Sequence, residues 1–238
     1  MAVRQMAGDE RGTTLVELMV GLMMGMVILS GLTLVVITTM HGSARVSARV
    51  EATQNGRVVL ARVTEEMHSA CVYPKLAPVK GTSTGTSLRF IHAAQGQGAA
   101  PAPTPVESRI ALSNGTLTQF DYPLLSGTTP QTWVFATTPT PASGWQLLTD
   151  VAPIPGASTV FTYYSYANGG LSTLTAGPEQ QLGTTNAEKT IQVKIALNAS
   201  PRSTPVADTG ADASIQDAAV LRLTPPSFNE NATAVPCQ

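Results

Sequence analysis

The hydrophobic positions of this chain begin with one long run that carries no charge. From Leu18 to Met40 the sequence contains only apolar residues, glycine, serine and threonine, about 23 in succession. At 1.5 Å per residue, a helix of this length measures roughly 34 Å, which is enough to cross a hydrocarbon core of about 30 Å. The pattern therefore predicts a membrane-spanning helix.

The pattern then becomes periodic, and apolar residues recur at three- and four-residue spacing between residues 59 and 71. This stripe consists of Val59, Val63, Met67 and Ala70, widened by Leu60 and Cys71. It is typical of a helix that packs one face onto a globular domain. No proline occurs from His41 to Cys71, so we expect the spanning helix to continue, with Gly42 and Gly56 as soft points, and to end at Tyr73-Pro74.

After Pro74 the composition changes to Thr, Ser, Ala, Gly and Pro, with short β-prone runs. The predicted strands are Ser87–His92, Arg109–Leu112, Leu117–Tyr122, Gln131–Ala136, Trp145–Leu148, Thr159–Tyr166, Thr190–Leu197 and Ala218–Leu223. Asn114-Gly115 predicts a hairpin, and Asn168-Gly169-Gly170 predicts a second turn. The low-complexity stretches Ala93–Pro105 and Ser200–Ala213 are expected to be exposed loops.

The segment of about 165 residues after the helix is long enough for one sheet-based domain with its own core. Aromatic residues make up only 5% of the chain, so this core must be mostly aliphatic. The sequence thus predicts an α+β fold, in which the first half of a long N-terminal helix spans a membrane and the second half packs on an antiparallel β-sheet head domain.

The charge balance limits the expected partners. The chain has 14 basic and 15 acidic residues, a formal net charge of −1, and therefore no general attraction for nucleic acid or an anionic membrane surface. Arg45 and Arg49 follow the apolar run, with Arg57 and Arg62 beyond them. Such a row favours a solvated or headgroup-facing helix edge over a DNA-binding patch, so no nucleic-acid partner is expected.

The head offers little catalytic or metal chemistry. Gly81-Thr82-Ser83-Thr84-Gly85 matches the G-x-S-x-G nucleophile elbow, which needs a strand before it and a helix after it, whereas this pattern predicts a flexible loop. His41, His68 and His92 have no partner at metal-ligand spacing. Three aspartates between residues 208 and 217 lack the pattern of an EF-hand. We therefore predict no catalytic residue, no metal and no cofactor.

The residues before the apolar run form a motif, Arg11-Gly12-Thr13-Thr14-Leu15-Val16-Glu17. A carboxylate inside a membrane helix costs roughly 2.5–3.5 kcal/mol at mid-bilayer and less near the edge. A simple anchor has no need of Glu17. Its position, with Gly12 before it, indicates a processing signal joined to an assembly signal.

This motif resembles the N-terminus of type IV pilin precursors. In that family a polar leader ends in glycine, a membrane peptidase cuts after it, the new amine is methylated, and a glutamate is the fifth mature residue. The resemblance implies a cut between Gly12 and Thr13, a methylated amine on Thr13 and an assembly role for Glu17. The first mature residue is usually phenylalanine, and here it is Thr13. The segment Gln54–Cys71 also resembles the helix that precedes the head of PilW-like minor pilins.

The resemblance divides the chain into a leader peptide at residues 1–12, a transmembrane and assembly helix at 13–41, its continuation packed on the head at 42–73, and a β-rich head at 74–238. In a fibre, Glu17 would pair with the Thr13 amine of a neighbouring subunit, which cancels the charge and sets the register between subunits. Gly21 and Gly25 form a G-x-x-x-G pair that allows helices to approach closely in lipid.

The two cysteines, Cys71 and Cys237, fit the oxidising compartment outside the membrane. A bond between them would close a loop of about 165 residues and, by the chain-entropy model, contribute roughly 4–5 kcal/mol. The sequence leaves buried or unpaired thiols open as alternatives.

The resemblance implies a structural minor pilin that is not an enzyme. It would lie in the inner membrane with its head outside, be cut by the prepilin peptidase, and join other pilin subunits in a pilus. A minor pseudopilin of a type II secretion system shares the same N-terminal features and remains the alternative. A membrane-anchored hydrolase or adhesin-like binding module is a third interpretation.

Two simpler interpretations of the apolar run are less favoured. A secretory signal peptide cut near Gly42-Ser43-Ala44 would have a shorter apolar core, a basic start and no glutamate at the entrance. A single-pass anchor explains the length of the run but neither Gly12 nor Glu17.

Overall fold

The computed structural model describes residues 14–71, 76–94, 104–201, 212–221 and 237. The chain divides into two compact units, Met1–Val46 and Ser47–Gln238. Helix α1, Leu15–His68, has its first part in the first unit and its second part in the second, which also holds all the strands. The architecture is α+β, with one long apolar N-terminal helix and antiparallel β-sheets.

The second part of α1 buries one face in the head. The buried positions recur every three or four residues, as a helix packed on one side requires: Ala48, Ala52, Gly56, Leu60, Val63 and Met67. The predicted stripe is confirmed at Leu60, Val63 and Met67, whereas Val59 and Ala70 are only half-buried. The small residues Ala48, Ala52 and Gly56 extend this face beyond the predicted stripe.

Gly56 is a packing position and not the soft point that the sequence suggested. A Cβ atom added there would overlap the side chain of Ile215 and lie 3.9 Å from that of Ala199. Helix α1 ends at His68 and not at the predicted Tyr73-Pro74, because the next residues pair with the sheet. The Cys71 amide donates to the Ile91 carbonyl at 2.8 Å, and Ala70 forms an isolated bridge with His92.

The described residues of the head form two antiparallel five-stranded sheets, where one sheet was expected. The first sheet has the order β1-β2-β3-β4, and β5 also pairs with β3. Its strands are β1 (Ser87–Ala94), β2 (Thr104–Ser113), β3 (Thr116–Ser126), β4 (Val134–Phe135) and β5 (Trp145–Thr149). The predicted hairpin is confirmed, since Asn114 and Gly115 join β2 to β3 with φ of +48° and +73°.

The second sheet has the order β10-β9-β7-β8, and β6 also pairs with β9. Its strands are β6 (Val151–Pro153), β7 (Phe161–Ala167), β8 (Gly170–Leu174), β9 (Gln192–Ala199) and β10 (Ala213–Val220), with helix α2 (Thr184–Lys189) before β9. Asn168 and Gly169 make the predicted turn, which joins β7 to β8.

Several strand predictions were wrong in extent or type. The segment Gln131–Ala136 is not one strand, because a 3-10 turn at Pro130–Thr132 leaves only the two residues of β4. Strands β6 and β8 were not predicted. The last strand in the described part of the chain is Ala213–Val220, where Ala218–Leu223 was predicted, and residues 222 and 223 lie outside that part. The predicted loop Ala93–Pro105 begins and ends in strand, and residues 95–103 lie outside the described part of the chain.

The main core lies between α1 and the sheets and is mostly aliphatic, as expected. Its largest fully buried side chains include Phe90, Phe161 and Tyr163. The buried Tyr163 hydroxyl has a hydrogen-bond partner, since it donates to the Thr84 carbonyl at 2.8 Å. Burial raises the pKa of Tyr163 far above its ordinary value, so this hydroxyl keeps its proton.

Candidate membrane-anchoring and assembly segment

The first part of α1 exposes its whole apolar surface. Every large apolar side chain from Leu15 to Met40 is between 44% and 76% exposed. The helix is long and apolar enough to span a membrane, and its most apolar stretch has no buried residue. A lipid environment, or other apolar helices, would remove this surface from water.

The hydroxyl groups of this segment are satisfied within the helix itself. Each donates to a backbone carbonyl three or four residues earlier, as Ser30 does to Val27 (2.8 Å), Thr33 to Leu29 (2.8 Å), Thr38 to Leu34 (3.0 Å) and Thr39 to Val35 (2.7 Å). An unsatisfied polar group in lipid costs several kcal/mol, and these bonds avoid that cost. The span is therefore compatible with lipid despite its four hydroxyls.

Glu17 lies in the first turn of α1, where its backbone amide donates to the Thr14 hydroxyl at 3.4 Å. Thr14 precedes the helix directly, so it acts as the N-cap, and Thr14-x-x-Glu17 is the sequence pattern of a capping box. A carboxylate in the first turn also interacts favourably with the helix dipole. The sequence pattern Thr14-x-x-Glu17 is the signal from which this local role can be predicted.

The charge of Glu17 has no counterpart in its own segment. The sequence from Thr14 to Ala44 contains no lysine or arginine, and Glu17 is its single charged residue. A carboxylate that enters lipid is costly unless it is protonated or paired with a cation, and this segment supplies no lysine or arginine. Gly12 and Thr13, the predicted cleavage and methylation positions, lie outside the described residues.

Gly21 and Gly25 leave an open notch on the helix surface. A Cβ atom added at either position would have no other atom within 4 Å. The two glycines are one turn apart on the same face, which is the arrangement that permits a close helix–helix approach in lipid.

Cys71 and Cys237 are joined by a disulfide, and both are buried beside Ile91 and Ala93. Because Cys71 follows α1, the bond holds Cys237 at the end of the helix. The two residues are 166 positions apart, so the crosslink restricts the unfolded chain strongly.

The G-x-S-x-G segment is a loop, as predicted, but it is packed and not free. The Ser83 side chain is buried, where its Oγ accepts from the Arg89 amide at 3.0 Å and donates to the Arg89 carbonyl at 3.1 Å. A Cβ atom at Gly85 would overlap the side chain of Thr159, and a Cβ atom at Gly81 would lie 2.7 Å from the backbone nitrogen of Thr184. The two glycines therefore allow the loop to pack closely against its neighbours. Ser83 connects the loop to β1 through its hydrogen bonds with Arg89.

A network of hydrogen bonds connects α1 to the first sheet. The Gln119 amide donates to Glu66 Oε2 at 2.9 Å and to Asp121 Oδ1 at 3.0 Å. Ser108 Oγ donates to Asp121 Oδ1 at 2.6 Å and lies 2.9 Å from His92 Nε2. His92 Nδ1 also lies 3.1 Å from the Ala93 carbonyl, so a neutral ring can donate at only one of these two contacts.

The pKa of His92 is lowered because the ring is buried, although the carboxylates of Glu66 and Asp121 act in the opposite direction. This network could not be predicted from the sequence, since its members come from α1 and three strands. It is a structural contact between helix and sheet, in which the buried Gln119 Oε1 has no hydrogen-bond partner among the described residues.

The aspartates that suggested a calcium loop do not converge. Asp212 accepts from the Asn198 amide at 3.3 Å, while Asp217 accepts from the Thr64 hydroxyl at 3.2 Å. Asp208 lies outside the described residues. Within the described ranges, no three His, Cys, Asp or Glu side chains come together as metal ligands would.

Comparisons with protein-family models, with curated proteins and with solved structures find no match to this chain.

Proposed function

We propose that this protein is a structural subunit of a type IV pilin-like fibre, of the minor-pilin kind. A prepilin peptidase would cut it after Gly12, and the mature chain would begin with a methylated Thr13. The subunit would wait in the inner membrane with its head outside and then enter the fibre through the first part of α1. It would display the head and catalyse no reaction.

One observation carries this proposal, namely an apolar helix surface that is exposed throughout and holds a single charge at its start. The exposed side chains from Leu15 to Met40 suit both lipid and a bundle of like helices. Their hydroxyls need no partner, so Glu17 is the one side chain in the described part of the span that requires an ionic partner.

The new amine at Thr13 is a suitable partner. It would lie one helical turn before Glu17, so a neighbouring subunit staggered along the fibre axis can bring its own amine to this carboxylate. Paired buried charges contribute little net stability, but leaving one of them unpaired costs about 3–5 kcal/mol, so the pair fixes the stagger. Gly21 and Gly25 would allow the helices to approach closely at this end of the span.

The test must separate the charge of Glu17 from its capping role. Glutamine also fits the third position of a capping box, so Glu17→Gln keeps the cap and removes the charge. Thr14→Ala removes the cap and keeps the charge, and Glu188→Gln alters an exposed carboxylate in α2 as the control. Each variant is expressed in cells that assemble a type IV pilus or pseudopilus, and the share recovered in sheared fibres is compared with the share in the membrane.

We expect Glu17→Gln to lower incorporation by about tenfold or more, since one unpaired charge costs more than the 1.4 kcal/mol that corresponds to a factor of ten. Thr14→Ala should lower it much less, and Glu188→Gln should have no effect. Normal incorporation of Glu17→Gln, or an equal loss with Thr14→Ala, would show that charge pairing is not the assembly signal.

A further inference from the structure

A polar cleft opens on the face of the first sheet that points away from the core. It has a volume of about 460 Å³ and is lined by residues of the loop before β1, by β1 and β2, and by the segment after β8. The side chains that matter are Thr82, Thr84, Ser87, Arg89, Arg109 and Glu179. The packed G-x-S-x-G loop supplies two of its hydroxyls.

Two arginines face each other in this cleft. Arg89 on β1 and Arg109 on β2 are direct partners in the antiparallel register. Like charges at directly opposed positions destabilise a sheet. Such a pair is expected where an anion is bound, because the anion turns the repulsion into two attractive contacts.

Glu107 does not balance these charges. Its carboxylate contacts Arg89 Nη1 at 3.2 Å and Lys80 Nζ at 3.9 Å, so one acid is shared between two cations. Arg109 has no carboxylate within salt-bridge distance among the described residues. This face therefore carries positive charge that no ion pair compensates among the described residues, and the charge is centred on Arg109.

Arg109 is held in place by neutral contacts. Its Nε donates to the Ser87 hydroxyl at 3.0 Å, and its guanidinium carbon lies 6.0 Å from the centre of the Phe120 ring. Arg89 lies similarly over Tyr122, at 5.1 Å. These contacts fix the guanidinium planes, while the two terminal nitrogens of Arg109 have no acceptor in the described part of the chain.

A hydroxyl of the cleft also has a proton to donate. Ser87 Oγ accepts from Arg109, which leaves its own proton for another acceptor. Thr84 Oγ1 instead accepts from the amides of Thr86 and Ser87 and donates to Thr86 Oγ1 at 3.4 Å, since Thr86 gives its own proton to the Pro178 carbonyl. Fixed arginines with nearby hydroxyl donors are the groups that bind phosphate and sulfate.

The geometry points to a binding site in the head for a sugar that carries a phosphate or sulfate group. The oxyanion would lie between the terminal nitrogens of Arg109 and Arg89. The volume exceeds the need of a bare anion and falls in the range of small-molecule sites. The sugar hydroxyls would meet Thr82, Gln181 and the exposed carboxylate of Glu179 at the rim.

Substitution of Glu179 should change the binding affinity in the opposite direction from substitution of Arg109. Its carboxylate lines the cleft and has no ion pair with either arginine among the described residues. It repels the oxyanion, so Glu179→Gln should strengthen binding, whereas Arg109→Gln should weaken it. Because Glu179 is exposed, its substitution leaves the fold intact even if the arginine variant does not fold.

The experiment is a titration of the full chain in detergent micelles, labelled with ¹⁵N-arginine. Side-chain Nε–Hε signals are followed as inorganic phosphate, glucose 6-phosphate or glucose is added at constant ionic strength. The Arg109 signal is identified by its loss in Arg109→Gln. Lys194→Gln removes a cation on β9, outside the cleft, and is the matched control.

We expect glucose 6-phosphate to shift the Arg109 signal with a lower Kd than inorganic phosphate, and glucose to have no effect. Arg109→Gln should raise the Kd, measured from the Arg89 signal, by about tenfold, as the loss of a charged hydrogen-bond pair implies. Glu179→Gln should lower it, and Lys194→Gln should leave it unchanged. Equal Kd values for phosphate and its sugar ester would overturn the sugar part of the proposal. No shift at millimolar concentration, or weaker binding in Glu179→Gln, would overturn the site.

Discussion

The two parts of helix α1 have the same secondary structure and opposite surfaces. From Leu15 to Met40 the apolar side chains surround the helix and are exposed, whereas from Ala48 to Met67 they are buried on one face. The glycines mark the same contrast. Gly25 has open space around it, while a Cβ at Gly56 would overlap Ile215. The distribution of side chains around the helix, and not helix propensity, decides whether a stretch suits a membrane or a folded head.

The largest effect on the head should come from its disulfide. Replacing both Cys71 and Cys237 with serine should lower the free energy of unfolding by about 2–5 kcal/mol, because the unfolded chain loses a long-range crosslink. Urea unfolding of the full chain in detergent measures this, with tryptophan fluorescence as the signal. Both tryptophans, Trp133 and Trp145, lie in the head, so the signal reports that unit alone.

Reduction of the wild type should reproduce the loss, and the double variant should not respond to reductant. A double variant as stable as the oxidised wild type would mean that the crosslink does not hold Cys237 in place.

A matched pair of glycine substitutions tests the contrast directly. Gly56→Leu should destabilise the head by about 1–3 kcal/mol, since overpacking against Ile215 outweighs the gain of roughly 1 kcal/mol in helix propensity. Gly25→Leu should leave the same urea transition unchanged. If both variants unfold like the wild type, α1 does not pack at Gly56 as described.

The network at His92 should make the head sensitive to acid. The folded-state pKa of His92 is lower than its ordinary value of 6.5, so the unfolded chain binds a proton more readily. Stability should therefore be full above about pH 6.5 and fall as the pH drops below it. His92→Gln should remove this part of the dependence in urea titrations between pH 7 and 5. An unchanged pH profile in that variant would assign the acid sensitivity to other groups.

The smallest effect is expected at a hydroxyl of the span. Thr33→Val removes a hydroxyl that donates only to its own helix, at the Leu29 carbonyl. Membrane insertion, measured as the share of chain resistant to alkaline extraction, should change by less than about twofold because the polar group was already satisfied. A large gain in insertion would show that this hydroxyl is not satisfied in lipid.

Local signals in the sequence predicted the parts of the fold that depend on neighbouring residues. The long helix and the hairpin at Asn114-Gly115 follow from apolar runs and from one turn type. The division into two sheets did not follow, because it depends on long-range pairs such as β3 with β5 and β6 with β9. Ala48 and Ala52 were missed because alanine occurs on buried and exposed helix faces alike.

The candidate sites divide in the same way. The cap at Thr14 follows from the local pattern Thr14-x-x-Glu17, whereas the opposed positions of Arg89 and Arg109 depend on the strand register. Ser83 matches a catalytic motif by spacing alone. In the structure its hydroxyl forms hydrogen bonds with the backbone of Arg89.

The intact mass of the mature chain is the most direct test of the proposed function. The protein is extracted from cells with an active prepilin peptidase and analysed by mass spectrometry with N-terminal sequencing. We expect a chain that lacks residues 1–12 and carries one methyl group on the Thr13 amine. A chain that still begins with Met1 in such cells would contradict it, because Glu17 would then have no new amine to pair with.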